Sequence, residues 1–280
     1  MITQKQIDFY FENGYLLIDE YASFEETELL KSRMNVLLDD IQTDHASIFS
    51  TEKQTRTSDQ YFLESGDKIR CFFEDGLDAT DTSNKKQINK IGHALHDLDP
   101  VYKSFSYQEK LLSLSKKLKL EKAAIIQSQY IFKSPTIGGK VSAHTDSTFI
   151  YTDPQTCTAV WIALEDAKID NACLWVLPKS HKNPIKERFI RNQTNDGTIF
   201  IDQNKNQPEW NLDELIPVEA KQGNAVLLHG SLVHLSYLNK SDRSRNAYVM
   251  HLIDMKAHYP SDNWLQRSSG NPLRSIEENL

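Results

Sequence analysis

In Val141-Ser-Ala-His144-Thr-Asp146 an imidazole and a carboxylate stand two residues apart. Residues i and i+2 of an extended strand project to the same face, so this spacing predicts a strand that aims both groups at one point. The sequence around it reads as a series of short strands. Apolar runs at Ala124–Phe132, Phe149–Tyr151, Thr158–Leu164, Leu174–Leu177, Ala225–Leu228, Ser231–Ser236 and Arg245–Met255 are punctuated by Pro135, Gly138-Gly139, Pro154, Pro178 and Gly223-Asn224.

Upstream of Ala124 the period is helical. Thr3-Gln-Lys-Gln6 and Ser23-Phe-Glu-Glu26 have capping-box spacing, and Gly14 is placed to end the first helix. Tyr15–Ile18 reads as a short strand between them. Further helices are expected near Gln87–His96, from Ile88, Ile91 and Leu95, and over Tyr107–Leu120. Helices first and many short strands afterwards predict an α+β fold, with helices backing one face of a sandwich or barrel. No linker or repeat divides the chain, so a single domain over residues 1–280 is expected. The polar segment Asp40–Phe73 and the Asn/Gln-rich Arg191–Asn211 are expected to border a pocket mouth as lids.

Hydrophobic residues make up 39% and charged residues 25% of the 280, which fits a globular protein rather than a disordered one. A net charge of −7 with no run of Lys or Arg argues against a nucleic-acid partner. No apolar stretch reaches membrane-spanning length and no signal-peptide pattern opens the chain, so no membrane insertion and a cytoplasmic location are expected. Cys71, Cys157 and Cys173 are scattered, without C-x-x-C spacing, which argues against disulfides and a thiolate zinc site. A monomer acting on a small molecule is the simplest expectation.

Two His and one carboxylate form the facial triad that holds non-haem Fe(II) and leaves positions open for co-substrates. Beside His144 and Asp146, the third ligand is sought in Val226-Leu-Leu-His229-Gly-Ser-Leu-Val-His234-Leu-Ser236, where His229 and His234 compete. His45 and His258 lie in polar surroundings and read as surface. His93 and His96 read as helical packing or surface residues, and His181 lies in a turn. His251 shares strand parity with Arg245, which predicts an inward position supporting the site rather than ligation. Ser236 follows His234 at i+2 on the same face. The turn Leu238-Asn-Lys-Ser-Asp242 is hairpin-like, which would return Arg245 beside His234 on a neighbouring strand. A guanidinium there would offer two parallel hydrogen bonds to a carboxylate; the alternative is a surface pair with Asp242.

The pattern His144-x-Asp146, Pro178-x-Ser-His181, Gly223-Asn-Ala-Val-Leu-Leu and His234-x-Ser236-x-x-Asn239-x-Ser-Asp-x-x-Arg245 resembles the phytanoyl-CoA dioxygenase family of Fe(II)/2-oxoglutarate oxygenases. Asp59–Arg70, Ile88–His96, Gln127–Lys133, Val160–Ala167 and Asn263–Gln266 narrow the resemblance to the branch of phytanoyl-CoA dioxygenase domain-containing proteins, over nearly the whole chain. The resemblance implies a double-stranded β-helix, a jelly-roll or cupin-like core, with the N-terminal helices packed on one sheet. It implies iron on His144, Asp146 and His234, and 2-oxoglutarate and O2 as co-substrates. The far carboxylate of 2-oxoglutarate would lie on Arg245 and Ser236, with Lys90, Gln129, Thr145 and Trp161 around the co-substrate. Gln129 stands where animal members carry methionine, and Lys179 where the family has glycine, so a positive φ there would be strained.

The chemistry implied is oxidative decarboxylation of 2-oxoglutarate to succinate and CO2, coupled to hydroxylation of a small-molecule or lipid-like substrate. Halogenating relatives lack the carboxylate, so Asp146 implies hydroxylation. Two readings stay beside it: a metal- and 2-oxoglutarate-binding protein with a sensing or regulatory role, and a cupin-like enzyme that does not use 2-oxoglutarate.

Overall fold

The computed structural model describes residues 2–41, 43, 46–49, 60–74, 87–204 and 209–280. The N-terminal segment forms α1 (Gln4–Asn13), β1 (Tyr15–Ile18) and α2 (Phe24–Asp40). Both helices start with a closed capping box, at Thr3/Gln6 and Ser23/Glu26, and Gly14 ends α1 in the left-handed region at φ 84°. Then come β2 (Ser47–Phe49), α3 (Gln60–Leu63), β3 (Ile69–Glu74), β4 (Ile88–His93), α4 (Leu95–Leu98), α5 (Pro100–Ser106) and α6 (Glu109–Lys117). The remainder is β5 (Ala123–Ile131), β6 (Val141–His144), α7 (Asp146–Phe149), β7 (Thr158–Ala163), β8 (Leu174–Val176), β9 (Glu187–Arg191), β10 (Thr198–Asp202), β11 (Ile216–Val218), β12 (Ala225–His229), β13 (His234–Ser236) and β14 (Ala247–Asp254).

From β6 to β14 the chain crosses repeatedly between two sheets, remaining in the smaller one only from β8 to β11, between which the β9–β10 hairpin is inserted. The larger has the order β1-β12-β7-β14-β5-β4-β3-β2 and the smaller β11-β8-β13-β6. This alternation of antiparallel strands is a jelly roll, with helices added on one side. Alternate side chains of the central strands divide between two cores. Val160, Ile162, Leu227, Tyr248 and Met250 pack beneath Tyr10, Leu30, Tyr102 and Leu111 of the helices. Ala159, Trp161, Val226, Leu228 and Val249 face the smaller sheet, meeting Leu174, Val176 and Val218. Because the large sheet is covered on both faces, its strands read as continuous apolar runs rather than as alternating ones.

Several expectations are corrected. Gln87–His96 is largely strand β4, followed by the short α4. Ile88, Ile91 and Leu95 mimic a helical repeat, but β4 lies between β3 and β5 with every residue buried, and tertiary pairing overrides the local pattern. Phe149–Tyr151 is not a strand, because the chain turns into α7 as soon as β6 ends. The Ser231–Ser236 run is strand only from His234; before it, a turn closed by Leu232 N–H on the His229 carbonyl at 2.8 Å reverses the chain. Lys179 does adopt a positive φ of 68°, a conformation that costs a non-glycine residue about 1 kcal/mol. The Asp40–Phe73 segment lies partly outside the described residues, and so does His45. Arg191–Asn211 contains β10, which pairs with β9 alone.

Candidate metal centre and co-substrate cavity

His144 closes β6 and is paired in register with His234 of β13. Their rings lie 4.3 Å apart. Asp146 is not on that strand: it opens α7, whose first turn is closed by Ile150 N–H on the Asp146 carbonyl at 2.8 Å. Convergence of His144 and Asp146 therefore comes from a strand-to-helix turn, not from strand parity. Asp146 Oδ1 lies 3.7 Å from His144 Nε2 and 3.8 Å from His234 Nε2. The ligand-type atoms of these three residues all fall within 4.8 Å of one another.

The far nitrogens of both rings are engaged. His144 Nδ1 lies 2.8 Å from the Ser142 carbonyl and His234 Nδ1 lies 3.0 Å from that of Leu232. A carbonyl only accepts, so each Nδ1 carries the proton and each Nε2 presents a lone pair to the cluster. Burial and the neighbouring His234 push the His144 imidazole down to about 4, which keeps it neutral. Burial raises the Asp146 carboxyl, but the imidazoles of His251, His234 and His144 outweigh it and hold the group below the usual carboxylate range. Two imidazoles and one carboxylate suit a divalent transition metal with open positions. Asp146 Oδ2 is buried, with His251 Nε2 3.4 Å away. The other ring nitrogen of His251 lies 3.1 Å from Gln127 Nε2.

Gly230 sets how closely β12, β13 and α7 approach. Its carbonyl accepts Ser147 N–H at 2.8 Å. A Cβ at this position would lie 2.5 Å from Ser147 Oγ and 2.6 Å from Cys157 Cβ. His229, one residue earlier, points elsewhere. Its ring packs 5.0 Å from His181 and 6.3 Å from Tyr10, beneath α1. His93 and His96 are fully buried and bonded to Ser65 and Ser128, while His258 is exposed.

A cavity of about 420 Å³ opens beside the cluster. Arg245 reaches it differently from expected. The Leu238–Asp242 turn is not a hairpin, because β13 pairs with β6 and β8 whereas β14 pairs with β5 and β7. The chain crosses from one sheet to the other, and Arg245 and Ser236 face each other across the gap. Asn239 secures the crossing, donating to the carbonyls of Lys133 and Arg243 at 2.9 and 2.7 Å. The Arg245 guanidinium is 1% exposed and forms no ion pair among the described residues. Its Nε donates to the Ala172 carbonyl at 3.0 Å, and its Nη2 to Ser236 Oγ at 3.4 Å. Nη1 is buried without a partner. The Trp161 ring lies 5.3 Å beneath the guanidinium. Such a buried, uncompensated guanidinium is costly in isolation and fits an anion in the cavity.

Lys90, Gln129, Trp161 and Ser236 also line the cavity. Thr145 does not; its hydroxyl lies 2.9 Å from that of Thr148, which does. Lys90 stands on a strand rather than a helix, and burial pushes its amine down to about 7. Lys133 escaped the sequence reading. It is 1% exposed, donates to the carbonyls of Gly139 and Tyr237, and lies close enough to Arg245 that burial and that guanidinium both push its amine down. The sequence also gave no sign of the aromatic wall that leads outward from the cluster, through Phe149 and Phe189 to Phe200.

The family model for phytanoyl-CoA dioxygenase (PhyH) matches residues 10–247. A phytanoyl-CoA dioxygenase of Arabidopsis thaliana is 44% identical over 95% of this chain and 94% of its own length. Phytanoyl-CoA dioxygenase domain-containing protein 1 of Rattus norvegicus is 37% identical over 97% of each. Among solved structures, the non-haem α-ketoglutarate-dependent carbocyclase SnoK of nogalamycin biosynthesis superposes with a TM-score of 0.69. It shares 18% identity, with 98% of this chain and 97% of that one covered.

Proposed function

The chain belongs to the phytanoyl-CoA dioxygenase family, and on that premise we propose that it is an Fe(II)- and 2-oxoglutarate-dependent oxygenase that hydroxylates a small-molecule substrate. The observation that carries this reading is one cavity holding both a His144/Asp146/His234 cluster and a buried, unpaired guanidinium. The first suits a divalent metal and the second an anion. Neither alone specifies a keto acid; together they suit a chelating dicarboxylate.

His144 and His234 would hold the iron through Nε2, each fixed in tautomer by its carbonyl partner, and Asp146 through Oδ1. When bound, iron with 2-oxoglutarate supplies oxidative decarboxylation to succinate and CO2, coupled to hydroxylation of a C–H bond. Arg245 would take the distal carboxylate in charge-assisted hydrogen bonds, with Ser236 Oγ beside it. Trp161 walls that end, and Lys90, Lys133 and Gln129 complete its polar surface. Neutralising Arg245 on binding removes the cost of burying it, so the co-substrate also steadies the crossing between β13 and β14.

Iron(II) restored under anaerobic conditions should allow 2-oxoglutarate to bind, and air should then give slow succinate release even without a substrate. If neither binding nor succinate is detected with iron present, the reading is wrong.

A further inference from the structure

The cavity is electrically polar. Lys90, Lys133 and Arg245 line it as buried side chains, whereas Lys186, Glu187 and Glu209 line it where it is more exposed. Lys186 is already paired with Glu209 at 3.0 Å. Glu187, half-buried on β9, forms no hydrogen bond or ion pair among the described residues. Asp202 stands directly opposite it across the β9–β10 hairpin. Glu187 is therefore a cavity-lining carboxylate with no hydrogen-bonded partner among the described residues, attracted by the charge of Lys186 and repelled by that of Asp202.

The aromatic wall lines the same cavity. The Phe149 ring lies 6.0 Å from His144, that of Phe189 lies 5.4 Å from Phe149, and that of Phe200 lies 4.9 Å from Phe189. Glu187 and Phe189 share one face of β9, with their Cα atoms about 7 Å apart along the strand. Ring faces beside a carboxylate attract a cation and repel an anion. A hydrocarbon body would be desolvated along the wall, and its charged end would meet Glu187.

Resting on the oxygenase reading, we propose that the substrate of this cavity is an amphipathic amine, whose ammonium group is bound by Glu187 and whose apolar body lies along Phe149, Phe189 and Phe200. A free carboxylate at this point, or the phosphates of an acyl-CoA, would meet Glu187 as a like charge. Burial raises the Glu187 carboxyl and Asp202 adds to the rise, whereas Lys186 opposes it; an ammonium partner would oppose it further.

The test compares octylamine, octanol and octanoate, which share one chain and differ in charge. Their binding to the protein loaded with Fe(II) and 2-oxoglutarate, without O2, is measured by calorimetry. Octylamine should bind about tenfold more tightly than octanol, and octanoate more weakly than either. Glu187→Gln should bring octylamine to the level of octanol, and Glu187→Lys should place octanoate first. Equal or tighter binding of octanoate by the unaltered protein overturns the proposal. So does an amine preference that survives Glu187→Gln, or failure of all three to bind. Substrate-free succinate release by the unaltered protein is measured in parallel. Its absence, with the amine preference intact, would defeat the oxygenase reading and leave the amine site standing.

Discussion

Two histidines five residues apart, His229 and His234, offered the same chemistry in the sequence and occupy different environments in the fold. His234 faces Asp146, while His229 packs against His181 and Tyr10 under the first helix. His234→Ala should abolish stoichiometric Fe(II) binding and His229→Ala should retain most of it, as read by metal content after anaerobic loading and desalting. The reverse would mean that the distal ligand is His229. Arg245 invites a second substitution. Lysine keeps the charge but loses the planar fork and its stacking on Trp161, so Arg245→Lys should weaken 2-oxoglutarate binding by about tenfold or more in calorimetry. Unchanged affinity would remove Arg245 from the co-substrate site. The chemistry of these residues was legible because it depends on residue type; Lys133 was not, because a lysine becomes informative only when the fold buries it.

At the level of elements, the helix caps and the longer strands were readable from local signals, since Thr3/Gln6 and Ser23/Glu26 need only their own neighbours. Strand β4 was not, because its identity comes from β3 and β5, and its apolar spacing imitates a helix. The turn after Ser236 looked like a hairpin for a similar reason. Turn residues show that the chain bends, not which sheet it enters next. Gly230 shows how element packing reaches the metal cluster. Gly230→Ala places a methyl against Ser147 and Cys157, at the base of the helix that carries Asp146. We expect a loss of about 1–3 kcal/mol in urea unfolding, together with weaker Fe(II) binding although every ligand is present. Wild-type stability and iron affinity would show that β12, β13 and α7 are not tightly juxtaposed.

Across the whole molecule, the cavity buries Lys90, Lys133 and Arg245 together, and this burial has consequences for pH dependence. The buried Lys90 amine is pushed down to about 7, well below the ordinary value near 10.5. Below pH 7 it is charged in folded and unfolded chains alike, and its burial penalty is fully present. As pH rises from about 7 towards 10, the unfolded chain holds a proton that the folded chain has lost, so folding stability gains. The stability difference between wild type and Lys90→Met should therefore move in favour of wild type over that range, by at most about 1.4 kcal/mol per pH unit in urea unfolding. Saturating 2-oxoglutarate should flatten the trend, because a bound dianion keeps the amine charged. A pH-independent difference would show that Lys90 does not titrate in this window. The most direct measurement of all follows labelled O2 in the protein loaded with Fe(II) and 2-oxoglutarate. One labelled oxygen atom should appear in the succinate, and labelled succinate should vanish in His144→Ala and Asp146→Ala. Succinate without label, or labelling that persists without iron or without these ligands, would contradict an iron-dependent oxygenase at this site.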